Sequence, residues 1–118
     1  MIKSIAVSLP WPPTANTYWR RCGHVIYLSP KAVAYRKEVI IKCLSYKNYF
    51  INGERLSLEI HAYPPDKRKR DLDNLCKCIG DSLQHAQVYD DDNQIDELII
   101  RRMPEIIGKV NIFIKEII

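Results

Sequence analysis

At 118 residues, 47% hydrophobic and 27% charged, the chain has the length and composition of one domain with a modest core, 1–118, and is too short for two. No apolar run approaches the roughly 18 residues of a bilayer span, and "MIKSIAVSLPWPP" lacks the apolar block and cleavage site of a signal peptide, so the expectation is a cytoplasmic protein with no membrane partner. The net charge of +4 is divided unevenly: residues 71–97 carry eight acids and one base, Lys77, for a net −7, which leaves +11 on the rest, a pattern suited to gripping a polyanion at the periphery and acting on it at a cation-loaded centre.

Residues 3–9, "KSIAVSL", alternate apolar and polar and predict a strand. "PWPPTAN" is then expected to be non-helical, because three prolines remove donors and push the residues before them toward extended backbone. "HVIYLS" is a candidate short strand. The segment "SPKAVAYRKEVIIKCL" opens with Ser29 as cap and Pro30 at the first helical position, and places Val33, Tyr35, Val39, Ile40, Cys43 and Leu44 mostly on one side of a helix. Asn52-Gly53 marks a turn, and "RLSLEIHAY" alternates as a strand that stops at Pro64-Pro65.

In "DLDNLCKCIGDSLQHAQ", 71–87, helical spacing gathers Leu72, Leu75, Cys76, Ile79, Leu83 and Ala86 into one apolar stripe. Asp73, Lys77 and Asp81 share a polar face, with Asp71 expected at the N-cap. "QIDELIIRRM" and "KVNIFIKEI" predict two strands joined by a short connection containing Gly108, a pair able to form an antiparallel hairpin. The expected fold class is α+β: a mixed β-sheet with two main helices packed on it. The four cysteines show no C-x2-C spacing, and Cys76 and Cys78 would point about 200° apart on a helix, so packing thiols are expected rather than a zinc site. His24, His61 and His85 have no spacing suggestive of a metal or a triad.

The chemistry concentrates where "PDKRKRDLDN" runs four cations, Lys67, Arg68, Lys69 and Arg70, straight into Asp71 and Asp73. About twenty residues later "YDDDNQID" brings Asp90, Asp91 and Asp92. Carboxylates from these two loops, if they meet at one end of a sheet, supply the oxygen ligands that Mg²⁺ prefers, and Lys77 adds a fixed positive charge beside a phosphodiester. Each residue alone has a plainer use. Asp71 can cap a helix, Asp73 and Lys77 can form an i,i+4 surface pair, and a basic run can be a solvated face. An EF-hand fails on spacing, since a loop begun at Asp90 puts Ile95 where glycine is needed and Arg101 where the bidentate glutamate belongs.

"LPWPPTANTYWR", "SPKAVAYR", "PPDKRKRDLDNLCK", "DDNQI" and "RRMP", in that order over nearly the whole chain, resemble the RusA family of Holliday junction resolvases. The resemblance implies a small homodimeric endonuclease that uses Mg²⁺, with Mn²⁺ as a possible substitute. Its partner is four-way junction DNA, nicked symmetrically in recombination and repair, and it is often encoded by phages or prophages. Asp71 and Asp73 match the family's DLD carboxylates, Asp92 its third catalytic and metal-binding acid, and Lys77 its helix lysine. Asp91 matches the acid before the third, and Asp90 departs from the pattern. Lys67, Arg68, Lys69 and Arg70 match the basic block, and Asn16 with the PWPP loop matches a segment near the site. Two other readings stay open: a DNA-binding module without catalysis, and a nuclease of flaps or other branched DNA.

Overall fold

The computed structural model describes residues 2–118. In chain order it contains β1 (Ser4–Pro10), α1 (Ala15–Tyr18), β2 (Trp19–Cys22), β3 (Val25–Leu28), α2 (Pro30–Lys42), β4 (Arg55–Tyr63), α3 (Asp73–His85), β5 (Ile95–Arg102) and β6 (Lys109–Ile117). Four strands form one sheet in the order β1-β6-β4-β5, and β2 and β3 form a separate two-stranded hairpin. The α+β expectation, a mixed sheet carrying two main helices, is met.

Strand β4 shows why the sheet folds this way. Its alternate residues Leu56, Leu58, Ile60 and Ala62 are buried under the helices, the period-two pattern of a strand with one apolar face. Val110, Ile112 and Ile114 of β6 and Ile5 and Leu9 of β1 continue that face, and Tyr35, Val39, Leu75, Ile79 and Leu83 close it from α2 and α3. Helix α2 begins as its residues predict, with Ser29 Oγ accepting from the Ala32 N–H at 3.1 Å and Pro30 in the first turn. Its buried face differs from the expected one. Ala32, Tyr35, Val39 and Cys43 face inward, while Val33, Ile40 and Leu44 are exposed, because the helix packs chiefly against β1 and α3 and buries only a narrow stripe.

Three expectations are corrected. Strands β5 and β6 are not a hairpin: β4 lies between them, parallel to β5 (Leu58↔Leu98, Ile60↔Ile100) and antiparallel to β6 (Ile60↔Ile112). With α3 as the crossover, β4–α3–β5 is a parallel unit, and such a unit needs a connection long enough to return to the starting end of the sheet. Ala15 and Asn16 are helical, since Thr14 ends the proline segment and its hydroxyl caps a single turn by accepting from the Thr17 N–H. Asp71 is not the N-cap of α3. Leu72 holds that position, and the Asp71 backbone carbonyl, not its carboxylate, accepts from the Asn74 N–H at 3.3 Å.

A core truncation tests this architecture. Ile60 is fully buried on the central strand, so Ile60→Ala should cost about 2–5 kcal/mol, read as a lowered midpoint of urea unfolding. A loss under about 1 kcal/mol would show that β4 is not the centre of the core.

Candidate active site

The crossover topology decides where the predicted acids stand. Asp71 and Asp73 follow the C-terminal end of β4, while the Asp90–Asp92 loop precedes Ile95, which pairs with Leu56 near the opposite end of that strand. The two loops therefore do not meet at one end of the sheet, as the sequence reading supposed. Helix α3 connects them, and the spacing i, i+4, i+7, i+8 puts Asp73, Lys77, Gly80 and Asp81 along one of its faces.

Asp92 is aimed at that face. Its Oδ1 accepts from the Tyr89 hydroxyl at 2.9 Å, and Tyr89 also lies 2.8 Å from the Gly80 carbonyl. A Cβ at Gly80 would sit 3.6 Å from the same Asp92 oxygen. Burial, followed by the charge of Asp92, pushes the Tyr89 phenol far above its usual range, so Tyr89 is a standing donor. Asp91 behaves differently: its side chain accepts from the Asn93 N–H at 3.0 Å and caps the short 3-10 turn Asp92–Gln94. Of the two neighbouring acids, Asp92 faces the helix and Asp91 serves the backbone. Asp90 is exposed.

The loop is held by Gln94, which the sequence reading missed. Its amide is 3% exposed and uses both ends: Nε2 donates to the carbonyls of Phe50 and Glu54, both at 3.1 Å, and Oε1 accepts from the N–H groups of Asp90 at 2.8 Å and Asp91 at 3.1 Å. The spacing Asp91-x-x-Gln94 is a capping box, so the signal was present in the sequence.

Six of the predicted residues fall into two clefts beside α3, while Asp73, Asp91, Lys69 and Asn16 line neither. One, of about 650 Å³, lies between α3 and β5 and is lined by Lys77, Asp81, Asp92, Asp96, Leu98 and Trp19, among others. The second, of about 270 Å³, holds Asp71 with Lys67, Arg68 and Arg70, roofed by Trp11 and Arg102. Asp73 is exposed in the first turn of α3, where its charge, after burial, raises the thiol pKa of Cys76. Seven residues, about 10 Å of helix, separate Asp73 from Gly80, where Asp92 rests. Accordingly, among the described residues no three acids, histidines or cysteines stand close enough to share a metal ion.

The charges are divided between committed and free groups. Arg36 binds Asp81 at 2.6 Å, Arg55 binds Asp96 at 2.5 Å, and Lys3 binds Glu54 at 2.7 Å. Arg70 grips Asp66 with two nitrogens, at 2.7 and 3.0 Å, while its guanidinium lies 5.7 Å from the centre of the Trp11 ring. With Arg68 also on Asp66, that carboxyl is held down at about 2. Asp71, Asp73, Asp92 and Lys77 form no ion pair among the described residues, so Lys77 is not the surface partner of Asp73. Lys67 and Lys69 are likewise exposed and unpaired among the described residues. Asn16 is exposed on α1, on no hydrogen bond of its side chain among the described residues.

Residues 10–115 match the family model described as Endodeoxyribonuclease RusA. The chain is 42% identical over 110 residues to the crossover junction endodeoxyribonuclease of Enterobacteria phage HK97, covering 92% of both chains. It is 36% identical over 100 residues to that of Enterobacteria phage 82, covering 83% of this chain and 82% of the other. Against that of Escherichia coli strain K12 the identity is 34% over 105 residues, covering 87% and 86%.

The role given to Gln94 is open to a direct test. Gln94→Leu fills the space but strands two N–H groups and two carbonyls, so unfolding stability should fall by about 3 kcal/mol or more, and the Asp90 and Asp91 amides should lose hydrogen-exchange protection. Stability within about 1 kcal/mol of the parent would mean that the loop is held by other contacts.

Proposed function

The chain belongs to the RusA family of endodeoxyribonucleases, and from that premise we propose that it is a structure-selective DNA endonuclease that resolves four-way (Holliday) junctions. The observation that carries this reading is the division of charges: Asp66, Asp81, Asp96 and Glu54 are each neutralised from within the chain, whereas Asp71, Asp73, Asp92 and Lys77 are left uncommitted along α3. Glu38, Asp90, Asp91, Glu97, Glu105 and Glu116 also form no ion pair among the described residues; what sets Asp71, Asp73, Asp92 and Lys77 apart is that they stand at the start of, on or against one helix. Among the described residues no helix is long and apolar enough to cross a membrane, and a DNA substrate in a bacterial or phage-infected cell puts the work in the cytoplasm, in recombination and repair.

The free carboxylates suit a hard divalent cation. They are oxygen donors, exposed, and unshared with any lysine or arginine among the described residues, and Mg²⁺ keeps several waters and needs only one or two carboxylates directly. In this proposal Asp71, Asp73 and Asp92 are the candidate ligands for Mg²⁺ or Mn²⁺; spread along α3, they do not close on one ion as they stand, so a bound ion would take one or two of these carboxylates and complete its shell with water. The bound ion supplies Lewis acidity toward a phosphodiester and orientation for an attacking water. The chain's own residues do the rest. Lys77 places a compact positive charge where negative charge grows on the phosphate oxygens as the P–O bond breaks. Tyr89 fixes the Asp92 carboxylate by its donated hydrogen bond. Lys67 and Lys69, joined by Arg68, Arg70 and Asn16, seat the strand, with Asp66 and Trp11 orienting the Arg70 guanidinium. A homodimer completes the picture, because a two-fold axis presents two equal sites to symmetry-related strands and yields paired nicks.

The deciding experiment is incubation with a synthetic mobile four-way junction, with and without Mg²⁺, and mapping of the nicks. Paired symmetric nicks that require the ion support the reading. Binding without cleavage leaves a DNA-binding module, and preferential cutting of flaps leaves a different nuclease.

Asp71→Asn, Asp73→Asn and Asp92→Asn should each abolish nicking while junction binding persists or tightens, since each removes negative charge beside phosphate. Full cleavage by any of them in Mg²⁺ would remove that residue from the site. Lys77→Met should slow cleavage by about 10²-fold or more with folding intact, the scale of losing one preorganised charge. Near-native cleavage would return Lys77 to an ordinary surface role.

Neutralising Lys67 and Lys69 together should weaken binding and reduce the slope of log K against log salt by about 2, close to one counterion per lost phosphate contact. An unchanged slope would make the basic run a solvated turn.

A further inference from the structure

The β2–β3 hairpin stands apart from the sheet, and its one contribution to the site described so far is Trp19, which lines the larger cleft. Its pairs are Trp19↔Leu28, Arg20↔Tyr27, Arg21↔Ile26 and Cys22↔Val25, closed by the two-residue turn Gly23-His24 with Gly23 at φ +62°. A lone two-stranded hairpin is marginal in water, and this one exposes apolar surface over most of its length: Val25 is 62% exposed, Ile26 58%, Tyr27 47% and Trp19 39%. It is nonetheless anchored at its base. Tyr18 is fully buried, its hydroxyl meets Asp81, and Arg36 Nε donates to the same hydroxyl at 3.0 Å. The Ser29 N–H donates to the Tyr18 carbonyl at 3.0 Å, and Leu28 packs on the Tyr18, Ala32 and Cys78 cluster.

That anchor sets the position of one side chain in particular. The Trp19 ring stands edge-on to the immobilised Tyr18 ring, with centroids 5.2 Å apart and planes at 68°, and lines the same cleft as Lys77 and Asp92. The stretch of sequence around it is cationic, since the first 37 residues contain Lys3, Arg20, Arg21, Lys31, Arg36 and Lys37 and no acid, while Asp81, Asp92 and Asp96 line the cleft beneath. Arg20 and Arg21 are exposed and form no ion pair among the described residues. A held aromatic ring at the lip of a phosphate-handling cleft, flanked by free arginines, has the composition of a stacking platform for an unstacked nucleobase.

We propose that the hairpin is the branch-reading element: Trp19 stacks on a nucleobase that is unstacked at the point of strand exchange, and Arg20 and Arg21 hold the phosphates on either side of it. This rests on the junction-endonuclease reading and deepens it, since a base free to stack exists at a branch and not inside a continuous duplex. The hairpin thereby supplies discrimination, while the basic run 67–70 supplies affinity for any DNA.

The test is equilibrium binding without Mg²⁺, so that nothing is cut, to a mobile four-way junction and to a linear duplex of matched composition. Trp19→Leu keeps apolar bulk but loses the ring's stacking face, and Trp19→Phe keeps a ring. Trp19→Leu should weaken junction binding by about 10-fold or more and change duplex binding by less than about 2-fold, with Trp19→Phe near the parent, as expected for loss of one base–aromatic stack. Junction-dependent quenching of tryptophan fluorescence should fall in Trp19→Leu to the part that Trp11 contributes, read from its equal appearance with duplex. Undiminished junction binding by Trp19→Leu, or an equal loss on junction and duplex, would overturn the proposal. So would a monomeric Ile26→Asp variant from a dimeric parent, because the hairpin would then be covered by a second copy. A parent protein with no preference for the junction strikes the functional reading itself, and that control is read before any variant.

Discussion

The parallel pairing of β4 with β5 governs the site. Parallel neighbours oblige the chain to return to its starting end before the second strand begins, and α3 makes that journey. The acids that precede the helix and the acids that follow it are thereby placed at opposite ends of β4. Their one shared surface is the helix itself, so the chemistry is laid out along a helical face and not around a point. The carboxylate of Asp92 and the hydroxyl of Tyr89 come to rest over Gly80, on the face that Asp73 and Lys77 occupy, at a distance where a Cβ would make only ordinary contact with both.

Much of α3 and its partners was legible because the signals are local. The Ser29-Pro30 start, the alternation of β4 and the apolar stripe Leu75, Ile79, Leu83 each depend on residues a few positions apart. What was not legible depends on pairing across the sheet. Nothing within 94–117 says that β4 will insert between β5 and β6, and the hydrophobic pattern of both strands is the same whether they pair or not. That one topological fact also undid the expectation that two acidic loops meet at one end. The hairpin was half legible, since β3 falls within the expected short strand "HVIYLS" while β2 and the pairing were not expected. Gly23-His24 between two four-residue runs is a two-residue turn with glycine first, a recognisable local signal passed over because Arg20 and Arg21 broke the apolar pattern of β2.

The triple acid "DDD" shows how structure separates residues that sequence leaves equivalent. Asp90, Asp91 and Asp92 are consecutive and alike, yet Asp91 closes a capping box with Gln94 and Asp92 points to α3. The separation comes from Gln94, whose buried amide ties two strand-side carbonyls to two loop N–H groups and so fixes the backbone from which the acids project. Free repulsion among three adjacent carboxylates would otherwise favour an open, solvated loop.

The larger cleft would repel a phosphate if all of its acids were free. Three of them line it, Asp81, Asp92 and Asp96. Arg36, reaching from α2, neutralises Asp81, and Arg55, reaching from β4, holds the Asp96 carboxyl below its ordinary range. Neither pair is fully buried, so neither contributes much to stability. Their effect is on the local field: they leave Asp92 and Lys77 as the opposed free charges, near neutrality, where a cation can add to the acid and a phosphate can approach the lysine. Because Asp81 also takes the Tyr18 hydroxyl, the same neutralising pair fixes the base of the hairpin. Charge balance in the cleft and the placement of Trp19 at its lip thus depend on one carboxylate, and a change at Asp81 would disturb both together.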